Sequence, residues 1–420
     1  MINFSSVKIK YIGTVVTGKT PSTKKASNFG NEYMFVTPSD LLNGYIIKST
    51  ERYLSSSGLQ SISSNTIDGI SVLVGCIGSD MGNVAITTEK CATNQQINDI
   101  TNFKPGINPF YVYYWLLPKK KYLRQIAGCT TTPILPKTTF EEIEITIPEI
   151  HHQNKIVDIL SSIDNKIELN NRIIAELEAM AKTIYDYWFV QFDFPNAEGK
   201  PYRSSGGEMV WNEQLKREIP KGWNVGTIKP FINVIRGVTY EKDDVQDAQS
   251  SGYICLLRAN NIANGNINYD NVVYVKENKI SKDQLLMQND VFICMSSGSK
   301  DHIGKTAIVT ADIGCSFGAF CSKIEIQSCA FSWLALYFRS KYFNSYIRNT
   351  CLGTNINNLN NDMLYNIVLP IPPEYVLQRF NAIIHPMIAK MGNTHVESIE
   401  LEHLRDWLLP MLMNGQVTVE

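Results

Sequence analysis

The spacing of apolar residues divides the chain into two kinds of segment that alternate. Short runs rich in β-branched residues, separated by Gly, Asn, Ser and Pro, fill the stretches that end at Pro148 and Pro373. Such runs are typical of strands joined by turns. After each of these prolines the apolar period changes to three and four residues, which indicates a helix. The predicted order is therefore globular half, helix, globular half, helix.

Each globular half is expected to be an α+β domain, because its pattern contains several strands and one helix. Residues 70–77, 83–87 and 144–147 are predicted strands of the first half, and residues 272–275, 291–295 and 306–309 are predicted strands of the second. The predicted helices of the two halves are residues 109–126 and 329–349.

The first long helix carries a heptad pattern. Residues spaced alternately by four and three extend over more than four heptads up to Trp188, the spacing of a coiled-coil seam. A single Asn on such a seam, here Asn170, sets register at a cost in stability. The alternative is a long core helix of one domain. The residues predicted to pair are Ile156, Leu160, Ile163, Ile167, Asn170, Ile174 and Leu177.

The second long helix is predicted from about Gln378 to Met413 and is less regular. Pro386 should kink or break it, since proline lacks an amide hydrogen and clashes with the preceding turn. Two long helices at the ends of two repeats most simply pair antiparallel. The fold predicted is two pseudo-symmetric domains separated by an antiparallel coiled coil. The pairing residues predicted in this helix are Ile384, Met387, Met391, Leu401 and Leu408.

The two halves are copies of one another at a shift of 219 residues. Residues 15–20 correspond to 234–239, and residues 186–188 correspond to 405–407, under that same shift. Landmarks between them keep their order with small insertions, as where residues 36–41 correspond to 257–262. A period this long indicates tandem duplication of a domain and a helix, not a solenoid.

Composition excludes several classes of protein. Hydrophobic residues make up 44% of the 420 residues, too many for a disordered chain. No apolar run approaches the roughly 20 residues of a membrane span, and the N-terminus lacks a signal-peptide pattern, so we expect a cytoplasmic protein that does not bind a membrane. The nine cysteines and six histidines have no metal-ligand spacing, so no metal site is predicted.

Charge is distributed unevenly although the net charge is only −1. The balance is +4 over residues 1–148 and +1 over residues 191–373, but −3 over each of residues 149–190 and 374–420. This asymmetry favours DNA contact by the globular halves and protein contact by the helices.

The segment after the first long helix contains a distinctive stretch, Thr183–Pro195, continued by residues 199–207 and 219–223. This stretch resembles the specificity subunits of type I restriction–modification systems, and the terminal residues 404–410 are similar to that family's usual ending. The resemblance covers nearly the whole chain. It implies target recognition domains at 1–148 and 191–373 (with a linker at 191–222) and spacer helices at 149–190 and 374–420.

The resemblance implies a non-catalytic subunit that recognises a bipartite, asymmetric DNA sequence. The expected partners are double-stranded DNA, two methyltransferase subunits and, in a system that cuts, two restriction/translocase subunits. No cofactor is expected on this chain, because S-adenosylmethionine, Mg and ATP would be used by partner subunits. A methyltransferase-only complex is the alternative within the family.

The candidate DNA contacts are polar loops at equivalent places in the two halves, a basic cluster at a predicted helix end of the first half, and further polar and basic residues of the second half. Lys and Arg bind phosphates or guanine, Asn binds adenine at two points, and Thr contacts the thymine methyl group. The same residue types also suit turns and helix ends. The candidates are Lys119, Lys120, Lys121, Arg124, Thr130, Thr131, Thr132, Arg258, Ser297, Lys300, Asn355, Asn357 and Asn358.

Short motifs point instead to an enzyme, either a P-loop NTPase or a metal-dependent nuclease. Residues 13–20 match the Walker A pattern, but their Thr-Val-Val-Thr core is strand-like and no helical pattern follows. Asp270 with residues 277–279 resembles a D…ExK nuclease motif without a second supporting acid. Residues 108–110 and 372–375 match a methyltransferase tetrad only in part, so methyl transfer should belong to a partner. These motifs fail to recur in the other half, whereas the architecture recurs, which favours a DNA-recognition scaffold.

Overall fold

The computed structural model describes residues 4–42, 44–128, 133–298, 302–351 and 358–417. The chain forms two compact units, Met1–Asn170 with Glu397–Glu420, and Asn171–Val396. Each unit combines β-sheets with helices, so the predicted α+β class is confirmed.

Unit 1 contains two four-stranded sheets and a two-stranded ladder. Its strands are β1 (Phe4–Lys8), β2 (Thr14–Thr17), β3 (Phe29–Val36), β4 (Arg52–Leu54), β5 (Thr66–Ile67), β6 (Ser71–Gly75), β7 (Val84–Thr87), β8 (Cys91–Thr93), β9 (Ile97–Thr101) and β10 (Glu144–Pro148). The sheets have the orders β2-β9-β6-β7 and β4-β3-β8-β5, and β1 pairs with β10. Strands β3 and β8 are parallel.

Strand β6 is buried on both faces, which explains its continuous apolar sequence. Successive side chains of a strand point to opposite faces. Val72 and Val74 accordingly pack in one apolar cluster with Ile100, while Leu73 packs in another with Met34. The sheet therefore separates two cores within unit 1.

The helices of unit 1 are short apart from its part of the first long helix. The single helix predicted at 109–126 is wrong: it is two helices joined by a 3-10 turn at Leu117–Lys119. Pro118 explains the break, because it cannot donate a helical hydrogen bond. The helices are α1 (Ile9–Ile12), α2 (Ser56–Gln60), α3 (Pro109–Leu116), α4 (Lys120–Ile126), α5 (Lys137–Glu141) and the first part of α6 (Ile150–Tyr185).

Unit 2 repeats the sheet β2-β9-β6-β7 of unit 1, and we call this sheet the main sheet in both units. Its strands are β11 (Met209–Asn212), β12 (Arg217–Pro220), β13 (Asn224–Thr227), β14 (Ile232–Arg236), β15 (Val245–Gln246), β16 (Tyr253–Leu257), β17 (Ile262–Ala263), β18 (Asn266–Ile267), β19 (Val273–Lys276), β20 (Val291–Cys294), β21 (Thr306–Ile308), β22 (Ser316–Phe317), β23 (Cys321–Ile326) and β24 (Val368–Ile371). The order β14-β23-β20-β21 matches β2-β9-β6-β7, and β13-β24 matches β1-β10. The second sheet, β15-β19-β16-β22, keeps a parallel pair, β16 and β22, although here β22 lies at the edge of the sheet. The duplication inferred from the sequence is thus present in the fold.

The single helix predicted at 329–349 is also wrong. Two helices form there instead, and Ser340 lies between them. Its hydroxyl caps the second helix by accepting a hydrogen bond from the Phe343 backbone amide at 3.3 Å. The helices of unit 2 are α7 (Phe331–Phe338), α8 (Lys341–Cys351), α9 (Asn361–Tyr365) and the first part of α10 (Glu374–Met413), together with the last part of α6 and a π-helical turn at Asp186–Val190.

Helix α10 is continuous through Pro386, so the predicted break is wrong. Pro386 lies on the exposed side of the helix. Ile384 and Ile388 on either side of it are almost fully buried in the apolar core of unit 2. Tertiary packing therefore holds the helix where local sequence would interrupt it.

In unit 1 the two long helices pair antiparallel. Arg405 donates to the Asp164 carboxylate at 2.9 Å, and Asn170, further along α6, donates to Glu397, earlier in α10, at 2.9 Å. Asp164 also accepts a 2.6 Å hydrogen bond from the Tyr114 hydroxyl of α3. This buried network joins the helix pair to the globular part of the unit.

Candidate nucleic-acid interface

In unit 2 four turns enclose a cleft of about 700 Å3, which we call the unit 2 cleft. The turns are residues 238–240 after β14, 258–260 after β16, 296–298 after β20, and 318–321 between β22 and β23. Two of them follow strands β14 and β20 of the main sheet, and a third follows β16 of the second sheet. The cleft therefore lies where loops can vary without disturbing the sheets.

Arg258 is a predicted DNA contact that lines this cleft. Its backbone amide donates to the Asn261 side chain at 2.9 Å, and one guanidinium nitrogen donates to the Asn271 carbonyl oxygen at 2.8 Å. The Nε atom is buried and has no hydrogen-bond partner among the described residues. Since a guanidinium carries five donor hydrogens, the group is held at one edge and retains donors for guanine or phosphate.

Ser297 and Asn358 are predicted contacts at the same place. Ser297 lines the cleft. The neighbouring Ser296 hydroxyl donates to the Asn358 side-chain oxygen at 2.6 Å, and the two residues form an antiparallel β-bridge. The structure therefore brings Arg258, Ser297 and Asn358 together, although 100 residues separate the first from the last.

Phe320, Asn260 and His302 are further cleft residues that the sequence patterns did not indicate. The Phe320 side chain is 70% exposed, which is unusual for an apolar ring and suits contact with a ligand. Asn260 is exposed, and the His302 Nδ1 atom is buried without a hydrogen-bond partner among the described residues. Asn260 and Phe320 each lie three residues beyond a strand end, which is their only sequence signal, whereas His302 lies eight residues beyond the end of β20.

The basic cluster predicted in unit 1 lies at the junction of α3 and α4. Lys119 stacks its ammonium group 5.0 Å from the ring centre of Trp115, and Lys120 donates to the Asn83 side chain at 2.6 Å. Arg124 donates to the Ser79 carbonyl oxygen, while Lys121 is exposed. These bonds tie the cluster to the turn after β6, which corresponds to a cleft turn of unit 2. The remaining candidates, Thr130, Thr131, Thr132, Lys300, Asn355 and Asn357, lie outside the described residues.

The predicted helix-pairing residues mostly lie on buried faces of α6 and α10. Ile156, Leu160, Ile163, Ile167 and Asn170 are buried, and so are Ile384 and Met391. The half-buried ones are Ile174, Leu177, Met387, Leu401 and Leu408. The patterns missed Ile388, Leu409 and Leu412, all buried, because the heptad phase drifts along α10.

The enzyme-like motifs have structural roles. Residues 14–17 of the Walker A match form strand β2, paired with β9, and the Lys19 amide donates to the Thr93 carbonyl oxygen at 2.9 Å. Asn108 caps α3 by accepting from the Phe110 amide at 2.9 Å. Within the described ranges, no group of three or more His, Cys, Asp or Glu side chains is placed to hold a metal ion.

Among the helices that the structure describes, none has the length and apolar character needed to cross a membrane.

Comparison with known proteins gives a family. The type I restriction modification DNA specificity domain matches residues 1–179 and 220–403. The type I restriction enzyme MjaIX specificity subunit of Methanocaldococcus jannaschii is 28% identical over 420 residues, covering 98% of this chain and 93% of the relative. The EcoKI specificity subunit of Escherichia coli is 32% identical over 206 residues, 48% of this chain and 44% of that one.

A solved structure has the same fold. The S subunit of a type I restriction-modification system from M. genitalium superposes with a TM-score of 0.61 at 14% identity, covering 98% of this chain and 96% of that chain. The family resemblance seen in the sequence is confirmed by these matches. The chain belongs to the type I restriction modification DNA specificity domain family.

Proposed function

We propose that the chain is the sequence-reading subunit of a type I restriction–modification complex, and that each unit reads one half of a bipartite, asymmetric DNA site. One observation carries the proposal: two copies of one fold present different side chains from the same turns. Two related but unlike domains suit two unlike half-sites. The family match over both copies supports this function.

Catalysis would then belong to partner subunits. Two methyltransferase subunits would bind S-adenosylmethionine, and restriction/translocase subunits, where present, would use ATP and Mg. The acidic balance of the two helix segments, −3 each, suits protein contact better than DNA contact. A subunit of this kind would act in the cytoplasm, where the DNA is.

Methylation mapping tests the proposal directly. The chain is co-expressed with its cognate methyltransferase subunit, and modified adenines in the host DNA are located by sequencing. We expect a split, asymmetric motif that disappears when this chain is omitted and the methyltransferase is kept. The same methylation without this chain, or no methylation with a partner that binds S-adenosylmethionine normally, would contradict the proposal.

A further inference from the structure

The backbone hydrogen bonds that shape the unit 2 cleft recur in unit 1. In unit 2 they join the turn after β14 to β22 and β23, join the turn after β22 to the end of β16, and join the residue after β20 to the turn before β23. The matching bonds, unit 2 first, are Val238 N to Phe317 O (2.8 Å) and Lys19 N to Thr93 O (2.9 Å); Gly237 N to Cys321 O (3.1 Å) and Gly18 N to Ile97 O (3.0 Å); Gly318 N to Leu257 O (3.0 Å) and Asn94 N to Val36 O (3.0 Å); and Met295 N to Phe320 O (2.9 Å) and Cys76 N to Gln96 O (2.7 Å).

Two glycines confirm the correspondence at the closest point. A Cβ atom on Gly237 would lie 2.2 Å from the Gly318 carbonyl oxygen, and one on Gly18 would lie 2.2 Å from the Asn94 carbonyl oxygen. Only glycine fits either place, because the backbones touch. Gln95 and Gln96 of unit 1 therefore occupy the positions of Ala319 and Phe320 in unit 2.

The exposed side chains on this shared frame differ in chemistry. Gln95 is exposed and Gln96 half-buried. The Thr20 hydroxyl donates to Gln95 Oε1 at 2.7 Å, and the Asn94 side-chain Nδ2 donates to Gln96 Oε1 at 3.0 Å. Each Oε1 atom keeps a second lone pair, and the Nε2 group of the same side chain carries two N–H donors. Both side chains are therefore oriented by one hydrogen bond and can still make others.

Resting on the proposed function, we propose that Gln95 and Gln96 read adenine edges in the half-site of unit 1, and that Phe320 contacts a thymine methyl group in the half-site of unit 2. A glutamine amide matches adenine N6 and N7 in the major groove, and an apolar ring matches the thymine methyl group. Sequence-reading side chains must vary while their frame stays fixed. These turns satisfy both conditions within one chain.

The test uses the full chain in complex with its methyltransferase. DNA duplexes carrying the mapped site, with one half-site randomised at a time, are selected by binding and sequenced. Gln95→Ala/Gln96→Ala is expected to lose preference at one or two base pairs of one half-site, by about tenfold or more at each pair. Phe320→Ala is expected to relax the other half-site only. Gln60→Ala, an exposed glutamine of the same unit, is the matched control and should change neither.

The outcomes separate this inference from the function beneath it. If the wild-type complex prefers no split sequence, the proposed function fails before any variant is compared. If the wild type reads a split site but Gln95→Ala/Gln96→Ala keeps both preferences, or relaxes the same half-site as Phe320→Ala, only the assignment of the reading residues is overturned. Thermal melting of each variant shows whether a loss reflects unfolding.

Discussion

A single register position in the main sheet shows how far two copies of a fold can diverge. Asp99 pairs with Val16 in unit 1, and Lys323 pairs with the corresponding Ile235 in unit 2. Both charged side chains are buried. Lys323 is compensated by carboxylate oxygens of Asp290 at 3.2 Å and Glu325 at 2.9 Å. Asp99 accepts one hydrogen bond, from the Thr93 hydroxyl at 2.6 Å, and its other oxygen has no hydrogen-bond partner among the described residues.

The Asp99 carboxyl should make the stability of the protein depend on pH. Burial raises the pKa of Asp99 well above its usual value of 3.8, against the smaller opposite effect of the Thr93 hydroxyl. A raised folded-state pKa gives stability that is present below the unfolded pKa and lost as pH rises through the folded one. We therefore expect the free energy of unfolding of Asp99→Asn, relative to wild type, to increase with pH above about 4, by at most about 1.4 kcal/mol per pH unit.

Urea unfolding between pH 4 and 8 checks this expectation. Asp158→Asn, an exposed aspartate on α6, is the control and should show little change with pH relative to wild type. A difference between Asp99→Asn and wild type that stays constant over this range would show that Asp99 has an ordinary pKa.

Residue identity alone could locate only part of the candidate interface. Arg258 and Ser297 were predictable because they are polar and Ser297 follows a predicted strand, and both line the unit 2 cleft. Phe320 was not, since an apolar residue in a turn carries no periodic signal. Gln95 and Gln96 become candidates only through backbone hydrogen bonds that match them to Ala319 and Phe320.

Among the elements, helix breaks were harder to predict than helices. The four-and-three spacing correctly indicated α6 and α10. Pro118 separates α3 from α4, whereas Pro386 leaves α10 continuous. The difference is context: buried neighbours hold α10 on both sides of Pro386. Sequence shows where a proline stands but not what packs around it.

The polar residue in the helix seam gives a prediction at this scale. Asn170 is 1% exposed; its amide donates to Glu397 at 2.9 Å, but its side-chain oxygen has no hydrogen-bond partner among the described residues. A buried polar atom without a partner destabilises the folded state. We expect Asn170→Leu to raise the free energy of unfolding by about 1 kcal/mol, because it removes that atom and adds apolar burial.

Asn171→Leu is the matched control, since it makes the same substitution on the exposed side of the same helix. Leucine has the higher helix propensity, so a small gain from propensity is common to both variants. Denaturant unfolding should therefore give a larger gain in the free energy of unfolding for Asn170→Leu than for Asn171→Leu, and the difference is the contribution of the buried seam position. Equal effects, or a loss specific to Asn170→Leu, would mean that Asn170 stabilises the pairing.

At the scale of the whole molecule, the duplication keeps one sheet architecture in both units and leaves the turns at the strand ends to carry the side chains proposed to read DNA. The main sheet has the same strand order in both units and packs against an apolar cluster in both. The exposed side chains beyond the strand ends differ between the two units. Net charge does not mark both globular halves as DNA-binding, since the second half has a charge balance of only +1. Sequence preference should therefore follow the globular segment.

Segment exchange tests that division. Residues 1–148 are replaced by the corresponding segment of another family member, and methylation is mapped with the same partner. We expect one half-site to change and the other to stay as in wild type, because every strand of a given sheet belongs to the same unit. Replacing residues 1–148 with a second copy of residues 191–373 is a sharper form of the same experiment. That chain should select two copies of one half-site sequence, since both units would then present the same turns. A change in both half-sites after the first exchange, or a persistent asymmetric site after the second, would show that the reading of DNA is shared between the units instead of belonging to each.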